Sequence, residues 1–186
     1  MGSIQNFVVN MDWWGLLGLV VSVAATLLCF TVHVVPALIC ITLHELAHGY
    51  VAYRLGDPTA KLCGRLTLNP IRHIDVAGLI MMLVARVGWA KPVPVDMRNF
   101  KNPKRGMALT ALAGPASNFL MALAALALSS LIFHFAPFHP VWLVVLCFLC
   151  NVALLSVGMG LFNLIPISPL DGSKIFFSFL PDKLYY

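Results

Sequence analysis

His44-Glu45-Leu46-Ala47-His48 lies inside an apolar run that begins far upstream, at Trp13. Two histidines four apart on a helix share one face, so both imidazoles can reach a single zinc ion. The glutamate between them projects about 100° away (from ~3.6 residues per turn) and can serve an attacking water as general base. A plainer reading makes these two core histidines with a capping glutamate. The surroundings weigh against it: no charged residue occurs between Trp13 and His44, and the next after Glu45 is Arg54. His44 to Arg54 is about 15 Å of helix, half of a ~30 Å hydrocarbon core. Two imidazoles and a carboxylate at that depth are costly unless a metal or a polar cavity holds them. The stretch reads as a catalytic zinc helix set within a membrane.

Composition agrees with that placement. Of 186 residues 60% are hydrophobic and only 10% charged, with a mean hydropathy of +0.90. A soluble domain carries about 25% charged residues, so an all-α polytopic membrane protein of one domain is the class that fits. Residues 1–12 hold no Lys or Arg and the apolar run after them is long, so no cleaved signal peptide is expected.

The net charge of +5 is not a nucleic-acid signature, because ten of the twelve Lys and Arg residues fall between Arg54 and Arg105. The other two, Lys174 and Lys183, follow the last long apolar segment. By the positive-inside rule both regions are cytoplasmic; attraction to anionic lipid would use the same placement. Cys29, Cys40, Cys147 and Cys150 lie in apolar segments, where a thiol acts as a small hydrophobe, and no disulfide framework emerges.

Residues 13–35 are long enough to cross once, and 36–55 carry the zinc motif. As one helix the pair would measure about 65 Å, so two crossings with a turn near 31–36, where Pro36 interrupts, are predicted. Gly56-Asp57-Pro58-Thr59 ends the second crossing, 60–68 read as an extended strand, and Asn69 to Asp75 as a polar turn. The apolar piece 76–85 is too short to span and suits a re-entrant segment. Gly88-Trp89-Ala90-Lys91-Pro92-Val93-Pro94-Val95 must be extended, since its prolines exclude a helix. At a cavity mouth Gly88, Trp89, Lys91 and Pro92 could pair with an unwound peptide by strand addition, or form a rigid connection. The third and fourth crossings are 106–133 and 141–172. Asn118, beside the small residues Ala113-Gly114-Pro115, suits an interhelical hydrogen bond.

A catalytic zinc site commonly takes three protein ligands and leaves one position for water. Asp171, in a segment broken by Pro166 and Pro169, is the best third ligand. Asp57, Asp75 and Asp96 sit in loops with ordinary turn roles.

Taken together, these motifs resemble the site-2 protease family of intramembrane zinc metalloproteases, in its compact bacterial-type branch. The likeness runs from about Pro36 to Pro181. It rests on the zinc motif, the Gly-Asp-Pro-Thr-Ala run at 56–60, the turn from Asn69-Pro70 to Asp75, the Gly88-Trp89 loop with Lys91 to Val95, the segment from Ala113 to Asn118, and Asn163 through Leu170-Asp171-Gly172. The resemblance implies one Zn2+ per chain held by His44, His48 and Asp171, with Glu45 as base. It also implies that Asn163 contacts the substrate backbone or the developing oxyanion, and that three transmembrane segments form the catalytic core.

The expected activity is hydrolysis of a peptide bond in or near a transmembrane segment of another membrane protein. The expected setting is a bacterial cytoplasmic membrane, with the site opening toward the cytoplasm. No room exists for an inserted PDZ domain, so selection would rest on the core, the 56–105 loops or a regulatory membrane partner. The competing readings are a zinc-binding scaffold without catalysis and a metal transporter or sensor. Neither would need Glu45.

Overall fold

A computed structural model describes residues 13–75, 77–78, 81, 91–137 and 139–180. Three of its helices are long and apolar enough to cross a membrane: α1 (Trp13–Arg54), α3 (Pro103–Phe135) and α4 (Pro140–Asn163). Between α1 and α3 lie the short α2 (Thr59–Leu62) and single 3-10 turns at Pro70–Arg72 and Met97–Asn99. The chain closes with α5 (Asp171–Phe177).

The two crossings predicted for 13–35 and 36–55 are one continuous helix of 42 residues. Pro36 sits inside it without breaking it. A proline removes one backbone hydrogen bond, but packed neighbours can hold the helix on course, and Pro36 is fully buried. The helix packs unevenly along its length. Residues 14–31 are all exposed, and burial begins at Val32.

Against the C-terminal half of α1 lie α3 and α4, which meet it through small residues. The buried positions of α3 are Gly106, Thr110, Ala111, Gly114, Pro115, Asn118, Ala122, Ala125 and Ser129, which recur at one helical turn and so line one face. Those of α4 are Val152, Ala153, Ser156 and Gly160. With no water to expel between lipid-facing helices, close backbone approach through such residues supplies the packing. The core is Cys40, Ala122, Ala125, Val152 and Ala153. Near its edge the ring of His33 meets the Asn151 amide at 3.2 Å, so His33 joins α1 to α4.

The ends of the helices follow local rules. Asn102 caps α3 by accepting from the Arg105 backbone, and Pro103 occupies the first turn, where its missing N–H is no loss. His139 and Pro140 open α4 in the same way. α4 stops at Asn163, a series of turns follows, and a new helix starts at Asp171, so the fourth crossing does not run through to 172. At Gly172 a Cβ would strike the Leu164 and Ile165 backbone, which is how α5 packs directly under the end of α4.

Among the described residues no strand forms. The predicted strand at 60–68 is instead α2 followed by turns. Residues 91–96 are irregular and non-helical. The proposed re-entrant piece at 76–85 lies outside the described residues apart from 77, 78 and 81, which are helical, and Gly88 and Trp89 lie outside them altogether.

Candidate metal centre

Helical spacing brings the rings of His44 and His48 together, with centroids 4.6 Å apart at 87°. Asp171 reaches them from the start of α5. The three ligand atoms form a nearly equilateral triangle: Nε2 to Nε2 is 3.0 Å, His44 Nε2 to Asp171 Oδ2 is 3.2 Å, and His48 Nε2 to Asp171 Oδ2 is 2.9 Å. All three residues are buried.

The protonation pattern around this triangle suits a cation. Nδ1 of His48 lies 2.7 Å from the Thr110 carbonyl, which can only accept, so the ring proton sits on Nδ1 and Nε2 offers a lone pair. That lone pair faces a carboxylate oxygen and a second imidazole nitrogen. With the His44 proton on Nδ1 as well, three acceptors would meet at these distances, an arrangement that a metal between them relieves. Bonds of ~2.0–2.1 Å to zinc in tetrahedral geometry would set ligand atoms about 3.3 Å apart, close to the triangle observed.

Asn118 completes the support for His44. Its amide nitrogen lies 3.1 Å from Nδ1 of His44, and its Oδ1 is buried without a partner. The oxygen and nitrogen of an amide are interchangeable in shape, so the ligating tautomer of His44 selects the flipped orientation. In it Oδ1 accepts the Nδ1 proton, and the orphaned oxygen is relieved.

Room for both rings comes from Gly114 on α3, where a Cβ would overlap both imidazoles. Glu45 faces the 91–96 segment, and its Oε2 accepts a hydrogen bond from the Val93 backbone at 3.1 Å. Val93 packs at Gly49, one helical turn from Glu45, and the Lys91 N–H donates to the His73 carbonyl at 2.9 Å. The segment is pinned further along by Asp57, which is fully buried. Its carboxylate accepts from the Thr59 backbone at 3.0 Å, the Asn99 side chain at 2.7 Å and the Asp96 backbone at 2.7 Å. Burial pushes the Asp57 carboxyl up, but these hydrogen bonds outweigh it and hold its pKa below the ordinary value.

The ligands open onto a cavity of about 720 Å³ whose lining includes Glu45, His73, Pro92, Thr110 and Asn163. Such a volume accommodates a segment of peptide. Asn163 stands at the cavity wall with its Nδ2 donating to the Met159 carbonyl at 3.0 Å.

Comparison with known proteins gives the donor set its context. The chain is 41% identical over 150 residues to the protein named "Putative zinc metalloprotease YwhC" of Bacillus subtilis, covering 74% of this chain and 64% of the relative. It is 33% identical over 133 residues to "Putative zinc metalloprotease Rip2" of Mycobacterium tuberculosis, covering 69% of this chain and 49% of that protein. It is a homologue of these zinc metalloproteases. A third relative, "Zinc metalloprotease MJ0392" of Methanocaldococcus jannaschii, is 27% identical over 143 residues, 77% of this chain and 32% of the relative. The chain therefore spans about half to two thirds of the bacterial zinc metalloproteases it matches. No protein-family profile and no solved structure matches it. Zinc is the metal that these relatives imply, and the buried imidazole–imidazole–carboxylate triangle fits it.

Of the residues singled out from the sequence, His44, His48, Asp171 and Asn118 come together, and Glu45, Asn163 and Pro92 line the same cavity. Lys91 is exposed and is tied in through its backbone. Sequence reasoning missed the Thr110 carbonyl, the Val93 amide and the Asp57 cluster. Asp57 between glycine and proline reads as a turn residue. Only the return of 96–99 onto it makes it a buried hub.

Proposed function

We propose that this chain is an intramembrane zinc metalloprotease of the site-2 type, cleaving a peptide bond in or near a transmembrane segment of another membrane protein. The observation that carries the reading is Glu45. A base positioned beside a three-ligand zinc set has no role in mere metal storage. His44, His48 and Asp171 would hold zinc, which would supply a Lewis acid for the scissile carbonyl and lower the pKa of water toward ~7. Glu45 takes the proton of the attacking water and returns it to the departing amine. The Val93 N–H fixes one carboxylate oxygen and leaves the other for that work. Asn163, once it turns away from Met159, donates to the peptide carbonyl.

A helical substrate hides its carbonyls in internal hydrogen bonds, so it must unwind locally within the cavity. The non-helical run around Lys91 and Pro92 at the cavity edge supports an accessory role in holding the unwound strand. The cluster of basic residues between Arg54 and Arg105 supports an orientation with this side cytoplasmic, in a bacterial cytoplasmic membrane. A regulatory membrane partner would act on the same loops.

Glu45→Gln should retain one zinc per chain and lose cleavage of a co-expressed membrane substrate by about 10²–10⁴-fold. Zinc analysis beside a cleavage assay tests this. Undiminished cleavage in that variant would refute the mechanism.

A further inference from the structure

Helical threonines commonly turn the hydroxyl back onto the carbonyl four residues earlier. Thr26 does so to Ser22 at 2.8 Å and Thr31 to Leu27 at 2.8 Å. Thr42 on α1 and Thr110 on α3 do not. They are 4% and 2% exposed, both line the metal cavity, and neither hydroxyl has a partner among the described residues. A third such group joins them from the loop after α2. His73 is wholly buried and lines the cavity too. Its Nε2 sits 2.9 Å from the Thr67 carbonyl, so the ring proton is there and Nδ1 is an acceptor, again with no partner.

Buried polar groups are satisfied as a rule, and three exceptions lining one cavity mark where something else binds. Three separate elements contribute one unpaired group each, so no local turn chemistry explains them. Their chemistry is two hydroxyls, each able to donate and accept, and one pure acceptor. That combination matches an amide backbone, which presents C=O and N–H in alternation. It does not match a metal ion or an anion, since no charged group is among the three.

We propose that Thr42, Thr110 and His73 form the hydrogen-bonding wall on which the unwound backbone of a membrane-spanning peptide lies, an inference that rests on the protease reading above. The hydroxyls donate to peptide carbonyls and Nδ1 of His73 accepts a peptide N–H. Opening a helix at membrane depth exposes these groups with no water to receive them, and the wall replaces the lost intrahelical bonds.

The test uses the full chain as the Glu45→Gln variant, which binds without cleaving, in lipid nanodiscs. The probe is a dye-labelled apolar transmembrane peptide with a Gly-Gly pair at its centre. Adding Thr42→Val, Thr110→Val or His73→Gln should each weaken binding by roughly threefold to tenfold, with zinc still at one per chain. His73→Gln keeps a donor for Thr67 and replaces the fixed ring-nitrogen acceptor with an amide oxygen on a side chain of different shape. Thr42→Ser and Thr110→Ser should bind as the parent does. Parental affinity in the valine and glutamine variants, or serine variants as weak as the valine ones, would overturn the wall. Failure of Glu45→Gln itself to bind the peptide would count against the protease reading instead.

Discussion

At Gly114 only a hydrogen atom separates α3 from the two ligand imidazoles. Gly114→Ala should force both rings aside, at a cost of about 1–3 kcal/mol, and metal analysis should find zinc well below one per chain. Gly158→Ala is the matched control, because a Cβ there meets nothing within 4 Å, and its zinc content should equal wild type. The pairing of His44 with His48, and Glu45 between them, was legible from a spacing of four. Asp171 was legible because a two-histidine set needs a third ligand. The unpaired hydroxyls of Thr42 and Thr110 were not, since the sequence holds nothing to separate them from Thr26 and Thr31. Their hydroxyls differ only in what the neighbouring elements place beside them.

Among the elements, the irregular 91–96 run owes its position to Asp57 at one end and His73 at the other. Asp57→Ala leaves the Thr59, Asp96 and Asn99 donors unpaired, and thermal unfolding should show a loss of about 1–3 kcal/mol. The sign of the pH effect follows from the lowered pKa. Its stabilisation is fully present above the ordinary Asp value near ~4 and is lost as pH falls through the lower folded value. Unfolding followed from pH 7 to about 2.5 should therefore reveal an acid-labile component in wild type that is reduced in Asp57→Ala. The error at 60–68 has a similar origin to the missed hub. A short mixed segment carries no period, and contacts with distant loops decide its form.

The described residues form a three-helix core with a long exposed extension. The predicted break near Pro36 came from applying membrane thickness to a 43-residue run and treating proline as a stop. The helix instead continues for about 63 Å, more than the bilayer needs, and α3 and α4 embrace only its second half. Residues 14–31 are all exposed, so a chain shortened to begin at Leu27 should keep its zinc and its unfolding temperature. Removing His33 as well, and with it the bond to Asn151, should lower that temperature.

That exposed arm is a lever about 28 Å long, from Trp13 to the first buried residue at Val32, with the imidazole pair ~18 Å beyond the fulcrum. A rigid rod would transmit more than half of any swing of the arm tip to the rings. Pro36 lies between the two, where the rod lacks a hydrogen bond and bends most easily. Flexure at the proline would leave the imidazole pair in place when the surrounding lipid thins, thickens or jostles the arm. Pro36→Ala should remove that shock absorber and make peptide cleavage depend on acyl-chain length, as read in vesicles of graded thickness.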